Sequence, residues 1–197
     1  MPRLLRVRFV SVGHAGARFD DLLLDMRDRQ GEPTDSTLWL RNGGGKTSLL
    51  SLFFALIRPD KREFLGLKVT GRTEGHPNEL KDFILPEDRS LLVCEWALDG
   101  GASLFADAQQ QRYLTGVFYE RRSGADDDVQ RLFFAGYVAA DDPAMQIDGL
   151  PLYASVERRT RRTLSSFRQE WLALRERHPA LQAACTENQR EWGQILD

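Results

Sequence analysis

Cysteine is nearly missing. Cys94 and Cys185 are the only two in 197 residues, too few and too far apart for a disulfide framework or a zinc site. The three histidines, His14, His76 and His178, show no ligand spacing. No run of about 18 apolar residues occurs, which removes a membrane-spanning helix from consideration. The N-terminus threads Arg3, Arg6 and Arg8 through its apolar residues and so lacks the unbroken core of a signal peptide. These absences together point to a reducing, cytoplasmic setting. A net charge of −2 excludes a uniformly basic nucleic-acid binder and leaves only local patches open. Lysine is scarce as well, at 4 of the 27 basic residues, so a lysine in a conspicuous place is informative. What remains, 42% apolar and 28% charged, suits one soluble globular core.

One such lysine sits in Arg41-Asn-Gly-Gly-Gly-Lys-Thr47, between a short apolar run and a hydrophobic helix. A loop that wraps phosphate needs glycines so that backbone N–H groups can converge. It also needs an ammonium for the β/γ-phosphates, a hydroxyl for Mg²⁺ and a helix N-terminus for positive field. Gly43, Gly44 and Gly45 meet the first demand, Lys46 the second and Thr47 the third, with Asn42 and Ser48 flanking them. From this chain's own frequencies, GGGK[ST] arises by chance in roughly 2 of 10,000 such sequences, so coincidence explains it poorly. A glycine-rich turn with a solvated lysine is the alternative. The general pattern GxxxxGK[ST] asks for glycine where this chain has Leu40, which puts nucleotide affinity, rather than the motif itself, in question.

The rest of the chain frames this loop, taken as 40–48. Leu4 to Val12 alternates like a half-buried strand, Gly13 to Gly16 makes a turn, and Phe19 to Met26 supplies a second strand. His14, in that turn, can contact a nucleotide base or simply be solvated. Thr37 to Leu40 is expected as the strand feeding the loop. The helix from Lys46 to Ile57 is apolar nearly all round, predicting burial on most faces. Segment 58–89 is polar, basic and rich in helix breakers, with a short helix expected from Glu79 to Leu85. Its Arg58, Lys61, Arg62, Lys68 and Arg72 either meet phosphates or are solvated. Three strand-like runs between 90 and 140, joined by short turns, predict an antiparallel meander. Within it, Leu91-Leu-Val-Cys-Glu95 ends four apolar residues in an acid, as a Mg²⁺-binding strand does.

From Ser155 to Arg177 there is neither Gly nor Pro, and Leu164, Phe167, Trp171 and Leu174 form a stripe with coiled-coil spacing. Arg158, Arg159, Arg161 and Arg162 open an arginine-rich stretch that suits either DNA phosphates or solvent. A second helix, Ala180 to Leu196, is expected without a terminal cap, as in a segment cut from a longer polypeptide. Two parts follow: residues 1–154 around the loop, and 155–197 as a helical segment starting a coiled coil.

This order of loop, buried helix, meander and Arg-rich helix resembles the N-terminal half of an SMC-type ATPase head, a P-loop ATPase of the ABC type. It is most similar to the MukB-like and Wadjet JetC-like branches. Asn42, Gly43, Gly45, Lys46 and Thr47 match that family's GxNGxGK[ST], and Leu40 departs from it. The resemblance implies an α/β half-head with a mixed or antiparallel sheet around the P-loop helix. It implies ATP with Mg²⁺ on Thr47, and Gln146 in the place of the glutamine loop that meets Mg²⁺ and water. It also implies a C-terminal half carrying a signature motif and the acids, a second copy of the head, DNA as the object of the cycle, and accessory kleisin-like subunits. On this reading the chain alone binds nucleotide and hydrolyses little. Two alternatives stay open. One is a self-contained P-loop NTPase or kinase using Glu95. The other is a DNA-binding or assembly module with a vestigial nucleotide site.

Overall fold

The computed structural model describes residues 2–58, 80–98, 111–122, 128–138, 143–155, 157 and 160–196. Long runs of β-branched and aromatic residues make its strands. These are β1 (Arg3–Val12), β2 (Phe19–Asp25), β3 (Arg89–Leu98), β4 (Gln111–Arg121), β5 (Val129–Tyr137) and the short β8 (Ala184–Thr186). They form one six-stranded sheet in the order β2-β1-β3-β4-β5-β8, with every neighbouring pair antiparallel. A small hairpin of β6 (Tyr153–Ser155) and β7 (Thr160–Arg161) stands apart. The helices are α1 (Lys46–Ile57), α2 (Leu164–Arg177) and α3 (Gln189–Leu196). The chain is thus a mixed α/β domain, and no parallel strand pair occurs among the described residues. The expected meander is present as β3, β4 and β5.

Strand alternation sends successive side chains to opposite faces, so the sheet has two cores. On one face Val7, Phe9, Leu92, Cys94, Val117 and Phe133 pack beneath α1 through Leu49, Leu52 and Leu56. On the other, Val10, Leu91, Val93, Leu114, Phe118 and Phe134 pack beneath α2 through Leu164, Phe167, Trp171 and Leu174. Gly116 belongs to this second core for a steric reason: a Cβ there would lie 2.3 Å from the Phe134 ring. Leaving it out lets that ring settle over the strand and meet Trp171 at 4.8 Å.

Several expectations change. Thr37 to Leu40 forms no strand; residues 35–41 carry no regular structure, and Leu38 and Trp39 are 45% and 89% exposed. Nor is α1 buried all round, because Leu50, Phe54 and Ile57 face outward at 54%, 45% and 37% exposure. The stripe of Leu164, Phe167, Trp171 and Leu174 forms as predicted but is consumed by the sheet, not kept for a coiled-coil partner. Its helix starts at Leu164, after the β6–β7 hairpin, where the Thr163 side chain accepts from the Ser166 N–H. The predicted second helix is divided: a 3₁₀ turn at Pro179–Leu181, then β8, then α3. Residues 184–186 complete the sheet edge against Phe133, Phe134 and Ala135, a gain in pairing that local helix propensity could not supply. Of the helix expected at 79–85, a 3₁₀ turn at Leu80–Asp82 is seen. Glu79 and the basic residues 61, 62, 68 and 72 lie outside the described residues. No described helix is long and apolar enough to cross a membrane.

Candidate phosphate-binding loop

The loop lies where the chain turns from the exposed segment 35–41 into α1. Gly43 and Gly45 both have positive φ, 78° and 84°, the left-handed conformation that glycine adopts without strain. Gly44 is glycine for space, since a Cβ would fall 2.9 Å from the Arg41 carbonyl oxygen, which instead accepts the Gly44 N–H at 2.9 Å. Gly45 also lacks room: a Cβ would meet the Phe19 ring at 2.8 Å. Each glycine is therefore required by conformation or by a neighbour.

Gly45 is the N-cap of α1, no side chain among the described residues caps that end, and no acid sits in its first turn. The first N–H groups of a helix have no internal acceptors, so this terminus is open to an anion. Lys46 Nζ donates to the carbonyls of Leu40 at 2.6 Å and Arg41 at 3.2 Å, folding back across the loop. The Leu40 backbone thus takes part in the loop although its side chain departs from the glycine pattern and packs against the α1-side core. A cavity of about 550 Å³ opens here. Asn42, Gly43, Gly45, Lys46, Thr47 and Ser48 line one wall, and His14, Gly16 and Ala17 from the β1–β2 turn line the other. The His14 ring Nδ1 accepts the Gly16 N–H at 3.3 Å, which leaves the other ring nitrogen as the donor. No carboxylate among the described residues lines this cavity.

Glu95 and Gln146 are not brought to it. Glu95 falls on the same sheet face as Leu91 and Val93, the α2 side, with the sheet between it and α1. It is fully buried, accepts from Arg6 Nε at 2.5 Å and lies 3.4 Å from Arg112 Nη1. Arg6 in turn binds Asp148 at 2.5 Å. Gln146 lines a separate cavity of about 810 Å³ with Glu95, Arg6 and Arg112. Glu95 therefore balances guanidinium charge, with the sheet between it and Thr47. The alternation of β1 suggested solvent-facing arginines, and Arg6 is instead 7% exposed. The covering segment 146–148, read in sequence only for Gln146, gave no sign that Asp148 would pack on Arg6.

Two of the four arginines expected to meet DNA phosphates are described. Arg161 donates to the Arg89 carbonyl at 2.9 Å and pairs with Asp88 at 3.6 Å, while Arg162 pairs with Glu170 at 3.1 Å. Both are engaged within the domain and precede the helix they were expected to decorate. Arg158 and Arg159 lie outside the described residues. Among the described residues no group of three or more His, Cys, Asp or Glu is arranged to hold a metal. Sequence reasoning also missed Phe19, which supports Gly45 from below, and no motif announces it. No protein-family model matches the chain, and no curated protein matches it either.

Proposed function

We propose that this chain is the nucleotide-binding N-terminal half of an SMC-like ATPase head, holding ATP and Mg²⁺ at residues 42–48. The observation that carries the reading is the composition of the loop cavity: it has glycine-built backbone, a helix N-terminus, Lys46 and Thr47, yet no carboxylate among the described residues. Phosphoryl transfer needs the phosphates positioned, Mg²⁺ held from two sides and a water oriented. Asn42, Gly43, Gly44, Gly45, Lys46, Thr47 and Ser48 serve the first need, and Thr47 half of the second. The acids come from a complementary C-terminal half, and a second head closes over the nucleotide. Apolar surface beside the loop supports such a neighbour: Trp39, Leu50 and Phe54 stand exposed on and next to α1. In the assembled protein ATP joins two heads and hydrolysis parts them, which moves or organises DNA with accessory kleisin-like subunits.

The test is calorimetry and turnover on residues 1–197. Weak Mg²⁺-dependent binding of ATP or ADP, lost in Lys46→Ala, with negligible hydrolysis is expected. Robust linear turnover that disappears in Lys46→Ala overturns the half-site reading, and no nucleotide binding at all overturns the site.

A further inference from the structure

The two ends of α1 are completed by different partners. Its N-terminus opens on the phosphate loop and is capped by no side chain among the described residues. At its C-terminus the Leu56 carbonyl accepts the indole N–H of Trp192 at 2.7 Å, a buried bond between residues 136 apart in sequence. Trp192 is fully buried and lies flat on Phe133 of β5, with centroids 5.2 Å apart and planes 17° apart. It therefore wedges the end of α1 against the sheet. The helix that carries it, α3, is tied down at its own start. Asn188 Oδ1 accepts the Arg190 N–H at 2.8 Å, and Thr186 Oγ1 donates to Glu191 and accepts the Asn188 N–H.

We infer that Trp192 is a positioning residue that couples α3 to the phosphate loop through α1. The physical basis is that α1 has few ways to move independently at its two ends. It spans only about 18 Å, one cooperative hydrogen-bonded unit, and it packs on one side only. Fixing the Leu56 end against β5 sets the axis along which the N–H groups near Gly45 point. Docked α3 favours the loop geometry that receives a phosphate. By reciprocity, phosphate at the loop favours docked α3. The bond is worth about a fivefold change in an equilibrium, which is the net value of about 1 kcal/mol for one neutral hydrogen bond converted at RT.

Amide hydrogen exchange on the 1–197 chain decides this, and its first arm needs no nucleotide. Trp192→Phe keeps the ring on Phe133 and removes only the donor. Exchange at 43–49 is expected to speed up about fivefold together with 53–58, although the substitution sits at the far end of the helix. Acceleration confined to 53–58 means that Trp192 is only a C-terminal cap and overturns the inference. Asn188→Ala loosens α3 without touching α1 and should raise exchange at 43–49 as well; an unchanged loop there also counts against coupling. The reciprocal arm rests on the nucleotide-site reading: added MgADP should slow exchange at 188–196 in the wild type and not in Lys46→Ala. A wild type that binds no MgADP defeats the proposed function, while the nucleotide-free comparison still decides the coupling.

Discussion

On the α2 side of the sheet Phe167 and Trp171 are fully buried against Phe118 and Phe134, whereas on the α1 side Leu50 and Phe54 turn about half of their surface to solvent. The α2 side is filled at its centre by its own aromatic residues and edged by an ion cluster of Arg6, Glu95, Arg112 and Asp148, three of which line the 810 Å³ cavity. The α1 side is closed beneath the helix but open above it, and it is there that glycine replaces side-chain packing. A layer packed by buried aromatics supports one whose helix is exposed above, which is where a ligand or neighbour can be received.

The largest expected effect separates the layers by stability. Trp171→Ala removes a buried indole that also donates to the Ala184 carbonyl at 2.9 Å, and it should cost about 3–5 kcal/mol by urea unfolding. Phe54→Ala on the open face should change stability by no more than about 0.5 kcal/mol. Equal costs would mean that the α1 side is finished from within.

Charge gives the next contrast. Glu95→Gln removes the buried carboxylate that Arg6 and Arg112 share, leaving the buried Arg6 with Asp148 alone, and should cost about 2 kcal/mol. The folded fraction should keep its nucleotide affinity, since Glu95 lies across the sheet from the loop. Lys46→Ala should do the reverse, with stability nearly unchanged and nucleotide affinity reduced at least about tenfold, the worth of a hydrogen bond to a charged group. Loss of binding in Glu95→Gln at full folding would restore the self-contained enzyme reading.

The sequence carried this contrast unevenly. The loop was legible because its glycines, lysine and threonine are chemically specific, and the meander because Gly- and Asp-containing segments with no helical pattern separate three strongly β-forming runs. The covered side was not. The Leu164 to Leu174 stripe has the same period whether a helix packs on a partner helix or on a sheet, so spacing alone could not choose. Arg6 occupies an alternating position that normally faces solvent. Its burial depends on residues 146–148 and on Glu95, far off in sequence. β8 is three residues long and is held by pairing with β5, which no local pattern reveals. Residues 37–40 read as a strand by composition yet have no partner among the described residues, so their ladder does not form.

Within the loop, Gly43 and Gly45 sharpen the contrast on a smaller scale. Both have positive φ, but a Cβ on Gly43 meets nothing within 4 Å, while one on Gly45 strikes Phe19. Gly43→Ala should cost about 1 kcal/mol of backbone strain alone. Gly45→Ala should cost more and displace the β1–β2 turn, visible as altered exchange at 13–19. Equal costs would show that Phe19 yields freely and does not support the loop.

The smallest effect uses the two thiols, which fall on opposite faces: Cys94 belongs to the α1-side core and Cys185 packs against the α2-side core. Burial pushes both thiols up from the ordinary cysteine range, Cys94 much further because it is fully buried, while Arg168 and Arg175 partly oppose the shift at Cys185. A raised thiol pKa means less thiolate, the reactive form, at any pH below it. Cys185 in the folded chain should therefore react with a disulfide reagent at pH 8 several-fold more slowly than a free thiol, and Cys94 only through unfolding. The same shifts fix a pH trend. The unfolded chain ionises its thiols first, so their contribution to stability is complete below about pH 8.5 and declines as the pH rises above it. If Cys94 requires global unfolding, its labelling should quicken about tenfold for each 1.4 kcal/mol removed by Trp171→Ala on the opposite face. Labelling of Cys94 that ignores Trp171→Ala would mean that α1 detaches locally, which would make the α1 side open beneath the helix as well as above it.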